Sequence, residues 1–431
     1  MRKGKIDIIS LGCSKNLVDS EHLMRQLQAA GYSVAHNSNR IDAETVVVNT
    51  CGFIADAQQE SIDTILRLGK AKQQGKIRNL LVMGCLSERF RADLIEALPE
   101  VDRFYGKFDW KGMLNDLGHA YRDDLAHERC LTTPPHYCYL KISEGCNRFC
   151  AFCAIPLITG RHTSVPTQQL LDEVRRLTEG GVKEFNVIAQ DLSSYGMDLE
   201  NRMMLPELID RMAEIDGVEW IRLHYAYPTQ FPYGILPVMA SRDNVCNYLD
   251  IALQHISDKV LTNMRRHIGR QETLELLARL RREVPGIHIR TTLMVGFPGE
   301  GEQEFEELMD FTREARFERM GAFAYSEEAG TWAAEHLSDD IPQEVKQERL
   351  QRLMALQEDI SLEIQEQKVG QTLRVIVDRE EEDYYIGRTQ WDSPEVDPEV
   401  LITKDKPLTI GTFAQVHITQ ALPIELIGKA L

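Results

Sequence analysis

Glu144-Gly145-Cys146-Asn147-Arg148-Phe149-Cys150-Ala151-Phe152-Cys153 puts three cysteines within eight residues, directly after a run, Tyr139 to Ile142, that reads as a β-strand. At these spacings a curled loop can turn three thiolates toward one centre. Soft thiolates suit an iron–sulfur cluster or zinc. Three ligands in the loop leave one cluster iron without a local protein ligand, open to a substrate or cofactor. Zinc is the rival, because it commonly takes a fourth cysteine or histidine. His136 and His162 stand near enough in sequence to serve it.

Downstream of the loop, strand-like runs recur at Glu184 to Ala189, Trp220 to His224, Tyr248 to Ala252, His288 to Val295 and Arg319 to Tyr325. Helical stretches such as Gln168 to Thr178, Leu205 to Ile215 and Gln303 to Glu314 separate them. Repeated βα units predict a full or partial (β/α) barrel. Upstream, Pro134-Pro135 breaks the chain, since proline continues neither a helix nor a central strand easily. The first hundred residues alternate apolar runs (Ile6 to Leu11, Thr45 to Asn49, Asn79 to Met83) with amphipathic stretches (Asp19 to Ala30, Ala55 to Leu68). That pattern predicts a parallel α/β sheet covered on both faces. From Pro342, a proline in the first turn, one long helix is expected to run to Val369 and end at Gly370. The tail then reads as five short strands between turns, a small antiparallel barrel of OB-like type. The predicted division is 1–125, 132–365 and 366–431.

A second set of cysteines is scattered. Cys13, Cys51 and Cys85 each fall just past the carboxyl end of a predicted parallel strand. In open α/β sheets those ends share one edge, where ligands bind, so the three are expected to converge. Each could equally be a small buried residue at a strand end. Cys130, Cys138 and Cys246 fit no ligand pattern and read as structural.

The 431 residues carry a net charge of −18, with 43% hydrophobic and 27% charged residues. That is ordinary for a folded soluble chain and opposite in sign to a protein built to grip phosphates. Nine cysteines in a chain too large to need disulfides suggest metal or redox chemistry in a reducing compartment. No apolar run approaches the ~18 residues of a membrane span. The stretch Met1-Arg2-Lys3-Gly4-Lys5-Ile6-Asp7 has no long apolar region or cleavage site, so a cytoplasmic protein is expected.

The CxxxCxxC loop after the first barrel strand resembles the radical S-adenosylmethionine superfamily. With Leu11-Gly12-Cys13-Ser14-Lys15-Asn16, Asn49-Thr50-Cys51-Gly52-Phe53 and Gly84-Cys85, the whole chain resembles the methylthiotransferase family, its tail being similar to that family's TRAM domain. The resemblance implies two 4Fe–4S clusters, one on Cys146, Cys150 and Cys153 and one on Cys13, Cys51 and Cys85. The first would chelate S-adenosylmethionine, and an electron from it would yield a 5′-deoxyadenosyl radical. The second would take part in sulfur transfer. Cofactor contacts implied in the same way are Ala189, Gln190 and Asp191, Gln254 and Ser257, and Gly296 and Phe297, although Asp191 reads equally as a helix cap and Gly296 as part of a bare turn. Arg161, just after the loop, reads either as an anchor for a carboxylate of cofactor or substrate or as a surface arginine.

Two branches stay open. Cys13-Ser14-Lys15-Asn16 is similar to the branch that methylthiolates an aspartate of small-subunit ribosomal protein twelve, although Ser14 stands where proline is usual. The alternative is the branch that modifies adenosine in transfer RNA. Residues 371–431 hold eleven acidic and six basic residues, which favours a basic protein substrate over direct RNA binding. Asp378, Glu380, Glu381, Glu382 and Asp383 are expected to crowd one hairpin as an acidic face. A reducing electron donor is a further implied partner.

Overall fold

A computed structural model describes residues 4–40 and 42–431; Arg2 and Lys3 of the basic amino terminus lie outside the described residues. The chain divides into two compact units. The first runs through Thr133 and takes in Glu144–Asn147 and Cys153–Arg161. The second holds Pro134–Ser143, Arg148–Phe152 and His162–Leu431.

The first unit is a five-stranded parallel sheet of β1 (Lys5–Ser10), β2 (Ser33–His36), β3 (Thr45–Thr50), β4 (Asn79–Gly84) and β5 (Arg103–Phe104), in the order β2-β1-β3-β4-β5. Successive side chains of a strand face opposite sides, and both sides of β3 are apolar because both are covered. Val46 and Val48 pack on Ile65 and Leu68 of helix α2 (Ala55–Gln73), while Val47 packs with Leu23 and Leu27 of helix α1 (Ser14–Ala29). Strand order reverses between β1 and β3, so their carboxyl ends flank a topological switch point, the usual ligand crevice of this architecture.

The second unit begins with β6 (Tyr137–Lys141). After the two-residue strands β7 (Ser143–Glu144) and β8 (Thr163–Ser164) come β9 (Glu184–Ile188), β10 (Trp220–Ala226), β11 (Val245–Gln254), β12 (His288–Val295) and β13 (Arg319–Ala324). The six long strands pair in parallel in chain order from β6 to β13, and the sheet does not close on itself. It is a partial (β/α) barrel. The long helix spans Gln343–Glu366. It stops before Gly370 because the N–H groups of Lys368 and Val369 turn back to the carbonyls of Gln365 and Glu366, a tighter bond than the helical one.

Strands β14 (Thr372–Glu380), β15 (Tyr384–Thr389), β16 (Glu399–Thr403), β17 (Phe413–Leu422) and β18 (Glu425–Ala430) form a closed barrel in the order β14-β15-β16-β18-β17. Four of its pairings are antiparallel, and β16 joins β18 in parallel. This barrel shares one compact unit with the central sheet because buried charges join them. The segment after β15 meets the amino-terminal halves of four central strands. Arg222 donates to the Gln390 carbonyl, Tyr248 Oη to Asp397 at 2.8 Å, Arg290 Nε to Asp397 at 3.2 Å and Arg319 Nε to Asp392 at 3.1 Å. Trp391 stacks on His288, ring centres 4.6 Å apart. Beside them Arg388 bridges Glu184 of β9 and Asp378 of β14 at 2.6–2.7 Å.

Candidate metal centres

Each cysteine of the scattered set sits where a strand hands over to a helix. Cys13 caps α1, Cys51 follows β3, and Cys85 opens helix α3 (Cys85–Ala97) directly after β4. Asn16, one turn into α1, ties their three segments together. Its Nδ2 donates to the Leu11 carbonyl at 3.0 Å and to the Thr50 carbonyl at 2.9 Å, while its Oδ1 lies 3.7 Å from Cys85 Sγ. Asn49 in turn donates to the Asn16 carbonyl at 2.9 Å. Gly12 has φ +86°, and a Cβ there would lie 2.8 Å from Cys51 Sγ. Glycine thus serves both the left-handed turn and the approach of the first cysteine's loop to the second.

Burial pushes the Cys51 and Cys85 thiols up, Cys85 to about 12, with Lys107 opposing and the neighbouring Cys13 and Cys51 reinforcing the rise at Cys85. A thiolate there needs a cation to balance it, which bound metal supplies. Lys107 is itself buried and sits 2.6 Å from Asp19. Burial opposes its charge, but Asp19, Glu144 and Cys85 together hold its ammonium well above the ordinary value. Among the described residues no three His, Cys, Asp or Glu side chains are gathered as around a single metal ion. A four-iron cluster takes its thiolates on different irons, spaced more widely. Sulfur-only donors in a half-buried crevice with a buried ammonium nearby fit that group.

The CxxxCxxC loop is bent by two left-handed residues, Gly145 (φ +79°) and Phe149 (φ +51°). A Cβ on Gly145 would strike the Arg161 carbonyl at 2.1 Å, and the Cys146 N–H donates to Gly160. In the second unit Ala151 is pinned to Met264 and Ala333 by main-chain bonds. Cys150 Sγ accepts from Arg266 Nη1 at 3.2 Å and lies 3.4 Å from Tyr227 Oη. The guanidinium carbons of Arg148 and Arg266 lie 4.4 and 4.2 Å from the Tyr227 ring centre. Burial raises the Tyr227 hydroxyl far above its usual value, Arg266 pulling the other way, so it stays a donor.

The named cofactor contacts differ in what is left for a ligand. Asp191 is buried and engaged: it caps a short helical turn at Ser193 and takes Arg148 Nε at 2.7 Å. Ala189 is fully buried at the same strand end, and Gln190 beside it is half-buried. Gln254 closes β11 with φ +72°, and its buried Oε1 has no hydrogen-bond partner. Ser257 is buried, and its N–H donates to His255 Nδ1 at 3.0 Å. His255 is a satisfied core histidine, its Nε2 being 3.1 Å from Glu300. Gly296 takes φ +73° and donates its N–H to Glu300, whereas the Phe297 ring is core, edge-on to Phe152 and Tyr325, so only its backbone faces out of that cluster. Arg161 is exposed.

The two histidines considered for zinc part company. His136 lies 2.8 Å from Asp378 in the Arg388 network, and His162 is 3.1 Å from Ser164. Cys138 and Cys246 are buried in strands and Cys130 bonds Gln28, all structural positions. The acidic hairpin needs correction. Asp378 is buried against Arg388, Glu380 pairs with Lys404 and Glu381 with Arg379, so among the described residues Glu382 and Asp383 are the exposed acids at that tip with no ion pair. The sequence carried no signal for Arg266, Tyr227 or Lys107, whose roles arise only from folding.

Profiles of three families match in succession: the uncharacterized protein family UPF0004 over residues 5–106, the Radical SAM superfamily over 140–312 and the TRAM domain over 369–431. The fold is that of solved radical S-adenosylmethionine enzymes. The methyltransferase TsrM from Kitasatospora setae, solved with cobalamin and a [4Fe-4S] cluster, superposes with TM-score 0.56 at 13% identity, covering 86% of this chain and 79% of that one. The cobalamin-dependent OxsB gives 0.54 at 12% identity over 82% and 56%. The chain is a radical S-adenosylmethionine enzyme. Relatives over its whole length narrow the class. The ribosomal protein uS12 methylthiotransferase RimO of Parabacteroides distasonis is 64% identical, that of Bacteroides fragilis 60% and that of Porphyromonas gingivalis 57%, with 99–100% of each protein covered. The chain belongs to this methylthiotransferase family. No helix among the described residues is long and apolar enough to cross a membrane.

Proposed function

We propose that this enzyme inserts a methylthio group at the β-carbon of an aspartate in ribosomal protein uS12, working with two 4Fe–4S clusters and S-adenosylmethionine. The observation that carries the proposal is the pair of cysteine triads at carboxyl ends of parallel strands, in a chain matched end to end by relatives of that activity. The proposed parts are an N-terminal methylthiotransferase segment, a radical core and a C-terminal TRAM barrel. Cys146, Cys150 and Cys153 would hold one cluster, and Cys13, Cys51 and Cys85 the other. The clusters and cofactor supply one-electron chemistry that removes hydrogen from a carbon too weakly acidic for a base.

The protein's own share is orientation and shielding. Gln254 offers a free carbonyl oxygen at the end of β11, suited to a cofactor N–H or hydroxyl. Arg148 and Asp191 lock the loop to the end of β9, while Glu300 fixes the Gly296 turn. The exposed Glu382 and Asp383 suit a basic ribosomal protein, and an external reductant is required.

The test is mass spectrometry of uS12 from cells with and without the gene, paired with purified enzyme offered uS12 and transfer RNA. A methylthio mass gain of the aspartate peptide, gene-dependent and reproduced in vitro, is expected. Product on the RNA alone would overturn the substrate assignment.

A further inference from the structure

We infer that Arg266 is a positioning residue for the CxxxCxxC cluster, gripping the Cys150 sulfur so as to make that cluster easier to reduce. The inference rests on the proposed assignment of Cys146, Cys150 and Cys153 as ligands.

The geometry is specific. Arg266 is 2% exposed, and a guanidinium so deep is costly to bury. It is aimed inward by the backbone: Arg265 and His267 on either side have φ +55° and +54°. One arm, Nη1, reaches Cys150 Sγ at 3.2 Å, and Nη2 donates to the Ala252 carbonyl of β11. Its plane is steadied over the Tyr227 ring, and the Tyr227 hydroxyl donates to the Arg266 carbonyl at 3.1 Å while lying 3.4 Å from the same sulfur. Guanidinium can only donate, so the sulfur is the acceptor.

Adding an electron makes a thiolate-ligated cluster more negative. A cation and an N–H at a ligand sulfur therefore favour the reduced form over the oxidised one, and burial strengthens the effect. Such a cluster fills with an electron at a less negative potential of its reductant, with a correspondingly smaller drive for the onward transfer.

The experiment uses the full chain with Cys13, Cys51 and Cys85 replaced by Ala, so that one cluster remains, and titrates it against potential by electron paramagnetic resonance. Arg266→Met should lower the reduced-to-oxidised ratio at a fixed potential about tenfold, a shift of about 59 mV for one electron. Arg266→Lys should fall between, and Tyr227→Phe should shift the same way by less. If Arg266→Met loses iron, the other two variants decide: a lowered midpoint in either supports the inference. Wild-type midpoints with full iron overturn it. A parent protein with no reducible four-iron signal would instead defeat the ligand assignment, and the inference with it.

Discussion

Asn16 spends every polar atom of its side chain on joining segments that sequence keeps apart, since its partners lie 5, 34 and 69 residues away. Asn16→Ala should unlink the three cysteine loops and leave two carbonyls without their donor, about 1–3 kcal/mol each where water cannot replace it. On the proposed two clusters, iron after reconstitution should drop from about eight to about four per chain, with cleavage of S-adenosylmethionine retained. Full iron in the variant would show that the cysteines gather without it. The residue stood in plain view within Cys13-Ser14-Lys15-Asn16, yet its task was unreadable, because spacing along a chain does not reveal partners supplied by β3 and α3. The cysteines themselves were legible for the opposite reason. Parallel strands align their carboxyl ends, so a residue just after each strand is placed by topology alone.

Two neighbouring strands end in irregular backbone. β10 shifts register between Leu223 and Ala226, with Tyr225 at φ +63°, and β11 shifts between Ile251 and Gln254, with Gln254 at φ +72°. Such bulges re-aim side chains near sites, and a left-handed non-glycine residue costs about 1–2 kcal/mol. Gln254→Gly should therefore raise thermal stability slightly while weakening S-adenosylmethionine binding about tenfold, near 1.4 kcal/mol, in equilibrium dialysis. Unchanged affinity would remove the side chain from the cofactor site. At this scale the sequence was read best where strands are covered on both faces, as with Thr45–Thr50. Ser33–His36 was missed because it is an edge strand, half exposed and without an apolar run, and Arg103–Phe104 is only two residues long. The positive φ angles left no trace either, since neither Tyr225 nor Gln254 is a residue type that announces them.

Across the second unit, the buried ion pairs between central sheet and C-terminal barrel set the response to acid. Burial resists ionisation of Asp392, but Arg319 and Lys368 prevail and hold it at about 2; Glu184 and Asp378 are likewise held low by arginine despite burial. A depressed carboxylate contributes fully above its unfolded value of about 4, and that contribution is lost as pH falls through the folded value. Burial also keeps His288 neutral well below its usual range, so calorimetry should show a melting temperature that starts to fall below about 6.5, where the unfolded histidine takes a proton, and drops more steeply below about 4. Asp392→Asn should cost about 3–5 kcal/mol at neutral pH, leaving Arg319 uncompensated, and should flatten the acid limb. An acid limb as steep as the parent's would place the sensitivity elsewhere. The same segment, Gln390 to Asp397, also decides how freely the tail could be exchanged between related enzymes. Its carboxylates, the Gln390 carbonyl and Trp391 answer to Arg222, Tyr248, His288, Arg290 and Arg319 on four different strands. A grafted tail from a distant relative would bring its own outer surface but the wrong plug, so a working chimera must transplant the floor of the sheet together with the barrel that seals it.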